Sequence, residues 1–356
     1  MKNKLNLRQR YAEFTALPGK EKRKIVGETL IDNSLYIFMV LAIIVIEVIS
    51  PRFLSVPSIV NIISLSAANL PIALGIAGCI ILTGTDLSAG RIVGAVACVS
   101  ASLLQSSGYA NKMFPSIGAQ PILLVLFVAL AIGALVGLVN GFCTAKFNLH
   151  PFIVTLSTQL IVYGFLLMYL MIGTNNGQSI SGLDSSYTNL ITGSKISIGN
   201  TPIPNYVWYS IVLTAIIWFV WNKTKFGKNM FAVGSNPDAA NVSGVNVKRT
   251  IIAVFTLAGI MYGITGFIEA ARIGSNSAAT GLNYELDAIA ACVIGGVSFV
   301  GGIGKIRGVI IGVVLLRIIF VGLQFVGIDA NLQYVIKGLI ILIACAIDMR
   351  KYLVRK

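Results

Sequence analysis

Apolar residues fill this chain in long blocks, and polar residues gather in short stretches between them. The blocks 121–145, 151–172, 205–221 and 251–268 contain no charged residue. At about 1.5 Å per residue, each can cross a hydrocarbon layer about 30 Å thick. Repeated blocks of this kind predict a bundle of membrane-spanning helices, because backbone groups in lipid must be hydrogen-bonded within the segment itself. The pattern gives about ten helices, over 34–50, 59–82, 89–106, 121–145, 151–172, 205–221, 250–271, 286–303, 305–325 and 331–348. Pro71 is expected to interrupt the second. Seven glycines between 294 and 312 permit both close helix packing and breaks.

Composition points the same way. Of 356 residues, 56% are hydrophobic and 11% charged, with a mean hydropathy of +0.85. A water-soluble domain carries roughly 25% charged residues. The expected fold class is therefore an all-α polytopic membrane protein. Cys79, Cys98, Cys143, Cys292 and Cys345 lie inside apolar segments without CxxC spacing, and read as small buried hydrophobes. The first apolar segment follows a basic arm and lacks a small-residue cleavage site, which predicts a retained helix.

The net charge of +14 is unevenly spread. Seventeen of the 27 basic residues lie in the arm before Asp32, in the loop 222–249 and in the tail after Met349. The loops 107–120 and 173–204 carry one each, Lys112 and Lys195. The positive-inside rule puts both termini and the 222–249 loop in the cytoplasm, with 173–204 on the periplasmic side. The charge is thus a topology signal, and no nucleic-acid surface is expected. The organisation that follows is a basic arm over 1–33, a membrane domain over 34–349 and a basic tail over 350–356. The stretches 85–104 and 284–303 align loosely, each starting at acidic residues and running into small ones. This is what two five-helix halves related as an inverted repeat would give.

No catalytic or metal-ligating set can be assembled. The string FVGGIGKI at 299–306 has Phe299 and Ile306 where a phosphate-binding GxxxxGK[ST] needs Gly and Ser or Thr. The single histidine, His150, stands before Pro151 at a helix start. The chain is not expected to be an enzyme or to hold a cofactor of its own.

One polar stretch, NPDAANVSG at 236–244, reads as a short helix with proper ends in the largest central basic loop. Asn236 suits the N-cap, Pro237 the first helical position, Asp238 the first turn, and Gly244 the left-handed terminating position. About eight residues would be helical, with Ala239, Ala240, Val242 and Ser243 facing outward around Asn241. So short a helix is marginal alone in water. It is either an ordinary surface helix or a knob for another protein.

Ionisable residues beside the spans are functional candidates. Asp86 and Arg91 flank the third helix, and either pair with each other or line a gate. Glu269 and Arg272 share a helix face, and Glu285 and Asp287 open the eighth helix. All four read as outer-side charges, for pairing or for contact with a partner. Arg317 falls in mid-helix and needs a partner or water. Asn69, Ser88, Thr155 and other uncharged polar residues are candidates for a wet path.

TKFGKN (224–229) with GSNPDAANVSGVNV (234–247), GTDLSAGR (84–91) and YELDAIAACVIGGVSFVGGIG (284–304) resemble the motifs of sugar permeases of bacterial ATP-binding-cassette importers, over about residues 34 to 352. The likeness is greatest to the galactose/methyl-galactoside branch. It implies a homodimeric, type II-importer-like channel in the bacterial inner membrane. A separate ATPase, as a dimer or fused tandem that binds ATP and Mg, would dock beneath it. A periplasmic sugar-binding protein would deliver the sugar. Residues 236–244 would be the coupling helix, and Asp86, Ser88, Arg91 and Asn69 would lie at the path or gate. Ribose, xylose or another small polar solute is the alternative cargo. A proton-coupled transporter using Asp86 or Glu269 is the rival mechanism.

Overall fold

The computed structural model describes residues 34–353, together with Pro18, Gly19 and Glu21. The rest of the basic arm and residues 354–356 lie outside the described residues. The chain runs α1 (Ser34–Ile49), α2 (Val56–Ile81), α3 (Ala89–Leu103), α4 (Ile122–Phe147), α5 (Pro151–Leu170) and α6 (Ser185–Thr192). A small antiparallel hairpin follows, β1 (Ile196–Ile198) and β2 (Thr201–Ile203). Then come α7 (Asn205–Lys223), α8 (Lys225–Ser235), α9 (Pro237–Val242), α10 (Val247–Ile273), α11 (Tyr284–Ile294), α12 (Ile306–Phe325) and α13 (Ala330–Leu353). Among the described residues, α2, α4, α5, α10 and α12 are long and apolar enough to cross a membrane, and shorter apolar helices accompany them.

The centre is a backbone-to-backbone contact. Gly133, Gly137 and Gly141 make a ridge along one face of α4, and Gly259 and Gly263 answer it on α10. A Cβ at Gly137 would fall 2.2 Å from the Phe255 carbonyl oxygen, and one at Gly259 would fall 2.0 Å from that of Gly133. Only glycine lets two helices approach this closely, and close approach is the main source of helix adhesion where the solvent is itself apolar.

Two expectations about helix limits are corrected. α2 runs unbroken through Pro71. Proline has no N–H, so the carbonyl of Ala67 four residues earlier loses its helical partner. Ser210 Oγ on α7 donates to that carbonyl at 2.7 Å, and the helix survives. The eighth predicted helix, by contrast, ends at Ile294 and not at 303. Gly295 caps it, and Gly296, Gly301 and Gly302 all have positive φ, which turns the chain before α12.

At the far end of α10 from α9, the segment 171–204 folds over the helix ends. Asp184 caps α6 by accepting from Ser186 N at 2.8 Å. Ile180 and Asn276 exchange backbone bonds at 2.7 and 2.8 Å, and the Tyr187 hydroxyl donates to the Phe267 carbonyl. At about 1.5 Å per residue, the 27 residues of α10 hold this cap and the α9 hairpin about 40 Å apart.

Replacing Gly137 with Val should lower stability by about 1–3 kcal/mol, as overpacking does, because α4 and α10 must separate. Ser210→Ala should cost about 1–3 kcal/mol through the orphaned Ala67 carbonyl. Thermal unfolding of the purified protein in detergent reads both, and an unchanged midpoint for either would contradict the packing described.

Candidate functional site

The polar hairpin is built from local rules. Thr224 caps α8 by accepting from Gly227 N at 3.3 Å. Asn236 caps α9 by accepting from Ala239 N at 2.9 Å, with Pro237 at the first helical position and Asp238 in the first turn. Gly244 closes the turn at φ +84. Asn246 then caps α10 by accepting from Arg249 N at 2.9 Å. The regular helix spans six residues, two fewer than expected. Ala240 is corrected from an outward to an inward residue: it is buried and its carbonyl accepts from Val245 N at 3.0 Å. Pro237, Asp238, Ala239, Asn241, Val242, Ser243 and Gly244 are exposed. Val242 is 90% exposed, an unusual state for a large apolar side chain on a well-capped turn.

This hairpin is clipped to the bundle through its last α8 turn. A Cβ at Gly234 would lie 1.9 Å from the Ile81 carbonyl oxygen, and one at Gly302 would lie 2.1 Å from Ser235 Oγ. Gly302 N donates to that same Ile81 carbonyl at 2.8 Å. Three segments therefore meet at the end of α2: the hairpin, the glycine turn 295–305, and the strap of residues 82–88 that leads to α3. Thr83 starts the strap in the left-handed region at φ +61, a strained conformation for a β-branched residue. Thr155 on α5 staples the strap from the side. It accepts from Leu87 N at 3.1 Å and donates to Thr85 O at 3.1 Å. Thr155 thus holds the strap and is not free to line a path.

Asp86 lies in the strap, fully buried. Its Oδ1 accepts from Ser88 N at 2.9 Å and from Ser88 Oγ at 2.6 Å. Asn140 on α4 donates to Ser88 Oγ at 2.9 Å. Asp86 and Arg91 are not a pair. Arg91 instead donates to the Ala278 carbonyl at 3.0 Å and stacks 4.1 Å from the centre of the Tyr163 ring.

The first turns of the short helices α3 and α11 meet. A Cβ at Gly90 would fall 2.0 Å from Glu285 Oε2 and 2.4 Å from the Gly281 carbonyl. Residues 277–285 run antiparallel along α3, with Gly94 against Thr280 O as well. Each helix follows a non-glycine residue of positive φ, Thr83 or Asn283, and has an acidic residue near its start, Asp86 before α3 and Glu285 in the first turn of α11. Two interrupted segments with converging N-termini are the arrangement that marks a solute path in helical transporters.

The four expected outer-side charges separate into different settings. Glu269, fully buried, takes a two-pronged bond from Arg272, Nε to Oε1 and Nη2 to Oε2, both 2.7 Å, and a third from Tyr284 OH at 3.0 Å. Glu285 faces Gly90. Asp287 pairs with Lys337 at 2.7 Å and with Arg317 at 3.5 Å, which supplies the partner that Arg317 required. Asn69 donates to Leu65 O at 2.9 Å and lines a narrow cleft with Asp287 and Arg317. Among the described residues there is no group of His, Cys, Asp or Glu able to hold a metal.

Residues 58–345 match the family described as the branched-chain amino acid transport system permease component. The chain belongs to this permease family. The permease is similar to the galactose/methyl galactoside import permease protein MglC of Escherichia coli (strain K12), with 45% identity over 326 residues, 91% of this chain and 96% of that one. Likeness to the protein of the same name from Haemophilus influenzae is 44% over 329 residues, 92% and 97% of the two chains. The ribose import permease protein RbsC of Haemophilus influenzae is 31% identical over 326 residues, 91% and 94%. No solved structure matches. The family consists of transport components and not enzymes, in keeping with the missing phosphate-binding loop.

The structure gives Gly234 and Tyr284 roles that no local periodicity marks, since each joins distant segments, and it places Thr83, one of the uncharged polar path candidates, at the head of the strap. Only the string of glycines after Ile294 hinted at the turn that meets Gly234.

Asp86→Asn keeps an acceptor for both Ser88 donors, whereas Asp86→Leu removes it inside the core. We expect Asp86→Asn to melt within about 1 kcal/mol of wild type and Asp86→Leu to lose about 1–3 kcal/mol. Detergent melting curves check this, and equal behaviour of the two variants would contradict a capping role for the carboxylate.

Proposed function

We propose that the permease is the membrane channel of an ATP-driven importer that moves galactose or a methyl galactoside inward across the bacterial inner membrane. The carrying observation is its end-to-end likeness to the galactose/methyl galactoside permeases, which exceeds its likeness to the ribose permeases. A periplasmic sugar-binding protein feeds it and a separate ATPase drives it. The working unit holds two copies of this chain, each with about ten spans and both termini in the cytoplasm.

Residues 236–244 form the coupling knob. Their exposure on a rigidly capped turn, with Val242 presented outward, suits a cleft in a soluble partner. Movement of the knob reaches the path through Gly234, the Ile81 carbonyl and the strap 82–88, which ends at Asp86 and Ser88 beside the meeting point of α3 and α11.

Uptake of D-galactose by cells carrying the permease, binding protein and ATPase tests the reading. Uptake should vanish when the ATPase gene is removed, and survival of uptake that collapses with the proton gradient would refute it. Val242→Asp should leave the protein in the membrane but reduce ATPase recovered with it from detergent by about tenfold, as loss of a central apolar contact does. Undiminished recovery would count against the coupling assignment.

A further inference from the structure

A polar cavity of about 210 Å³ opens between α11, α12 and α13, with Asp287, Arg317, Gln324, Gln333, Tyr334 and Lys337 on its walls. It differs from the larger cavities of 630 and 410 Å³, which are lined mainly by aliphatic and aromatic side chains. Two cations share one carboxylate here. Lys337 Nζ is 2.7 Å from Asp287 Oδ1, and Arg317 Nη2 is 3.5 Å from Oδ2. A guanidinium offers five N–H donors and an ammonium three, so donors remain after Asp287 is served. Gln333 commits its Nε2 to the Ile328 carbonyl at 3.0 Å, which leaves its oxygen for a ligand. Lys337 also lies 4.9 Å from the Phe320 ring centre and 5.5 Å from that of Tyr334.

This chemistry matches a neutral polyhydroxylated ring. Neighbouring hydroxyls both donate and accept, so they fit the forked carboxylate, guanidinium and amide groups. The C–H face of a sugar fits an aromatic side chain with a polar tip such as Tyr334. A phosphate or carboxylate would meet the Asp287 charge inside the same cavity, whereas an uncharged sugar tolerates both signs. The location agrees. Arg317 is eleven residues along α12, about 16 Å from the start of that helix, and α12 begins just after the glycine turn that touches the coupling hairpin. The cavity therefore sits in the half of the bundle away from the hairpin. A narrow cleft continues from Asp287 and Arg317 to Asn69 on α2, whose buried Oδ1 has no hydrogen-bond partner among the described residues.

We infer that this cavity is a monosaccharide subsite, which receives the sugar on the periplasmic side and hands it toward Asn69. The inference rests on the sugar-import reading above. The test uses the full-length permease reconstituted in proteoliposomes with its ATPase and binding protein, and radiolabelled D-galactose. Wild-type uptake must be present, since its absence defeats the hexose reading and this subsite with it. Tyr334 and Gln324 are both exposed, so Tyr334→Ala and Gln324→Ala are expected to reach the membrane at wild-type level, by immunoblot. Each should cut uptake about five- to tenfold, the equivalent of one lost contact. A thiol introduced as Gln324→Cys should react with a membrane-impermeant maleimide from the outer side, and D-galactose should slow that reaction relative to the background from the native cysteines. Wild-type uptake by both alanine variants overturns the subsite. So does a thiol that D-galactose fails to protect, whatever the uptake. Uptake that instead follows the phosphatidylglycerol content of the vesicles, without sugar protection, would assign the cavity to a lipid phosphate and likewise overturn it.

Discussion

Where α4 crosses α10, carbonyl oxygens rest against bare Cα atoms, because Gly133, Gly137, Gly141, Gly259 and Gly263 offer no side chain to hold the helices apart. In water, burial of apolar surface would press two such helices together. In lipid that drive is absent, and adhesion depends on how closely the two backbones approach. This seam fixes α10, and α10 carries the working parts at its two ends. Asn246 ties its start to the α9 hairpin. Its other end holds Glu269 and Arg272, followed by the segment that lies along α3. A shift in the seam would therefore misplace both the knob and the meeting point of the short helices.

The same apolar surroundings make every stray polar group expensive, and the fold gives several of them a partner from elsewhere in the chain. The carbonyl left over by Pro71 is met by Ser210 from α7. The carbonyl at the end of α2 is met by Gly302. Glu269 is neutralised by a guanidinium fork, and Arg317 shares Asp287 with Lys337. Breaking one partner of a buried ionic group costs far more than the intact pair contributes, so these contacts act as locks on the arrangement more than as sources of stability.

The hairpin obeys the opposite rule. It carries its own caps at Thr224, Asn236 and Asn246, and it shows polar residues and one bare valine to its surroundings. It joins the bundle through the buried Met230, Val233 and Gly234 of α8 and through Ala240 of α9. A strained Thr83 lies one step further along, at the head of the strap. A stiff knob joined through a small glycine contact to a strained strap can pass a displacement inward without remaking the helix seam. On the proposed reading, this is how an external motor reaches a path between α3 and α11.

The membrane class, the positions of the apolar helices and the capped stretch 236–244 were legible in the sequence, because each depends on local facts, run length and cap residues; α6 and α8, which lie inside segments read as loops, were not. The limits of α2 and α11 were misread, since whether Pro71 breaks a helix depends on a serine 139 positions later, and whether glycines bend or pack depends on what lies against them. Asp86 and Arg91 are close in sequence, yet each found a different partner, and Arg317 found its carboxylate on another helix. Ala240 turned inward for a similar reason, because a six-residue helix has a face only once it is docked. Periodicity and composition settle what each segment is. Which polar groups meet in a solvent that satisfies none of them is decided only when the helices close on one another.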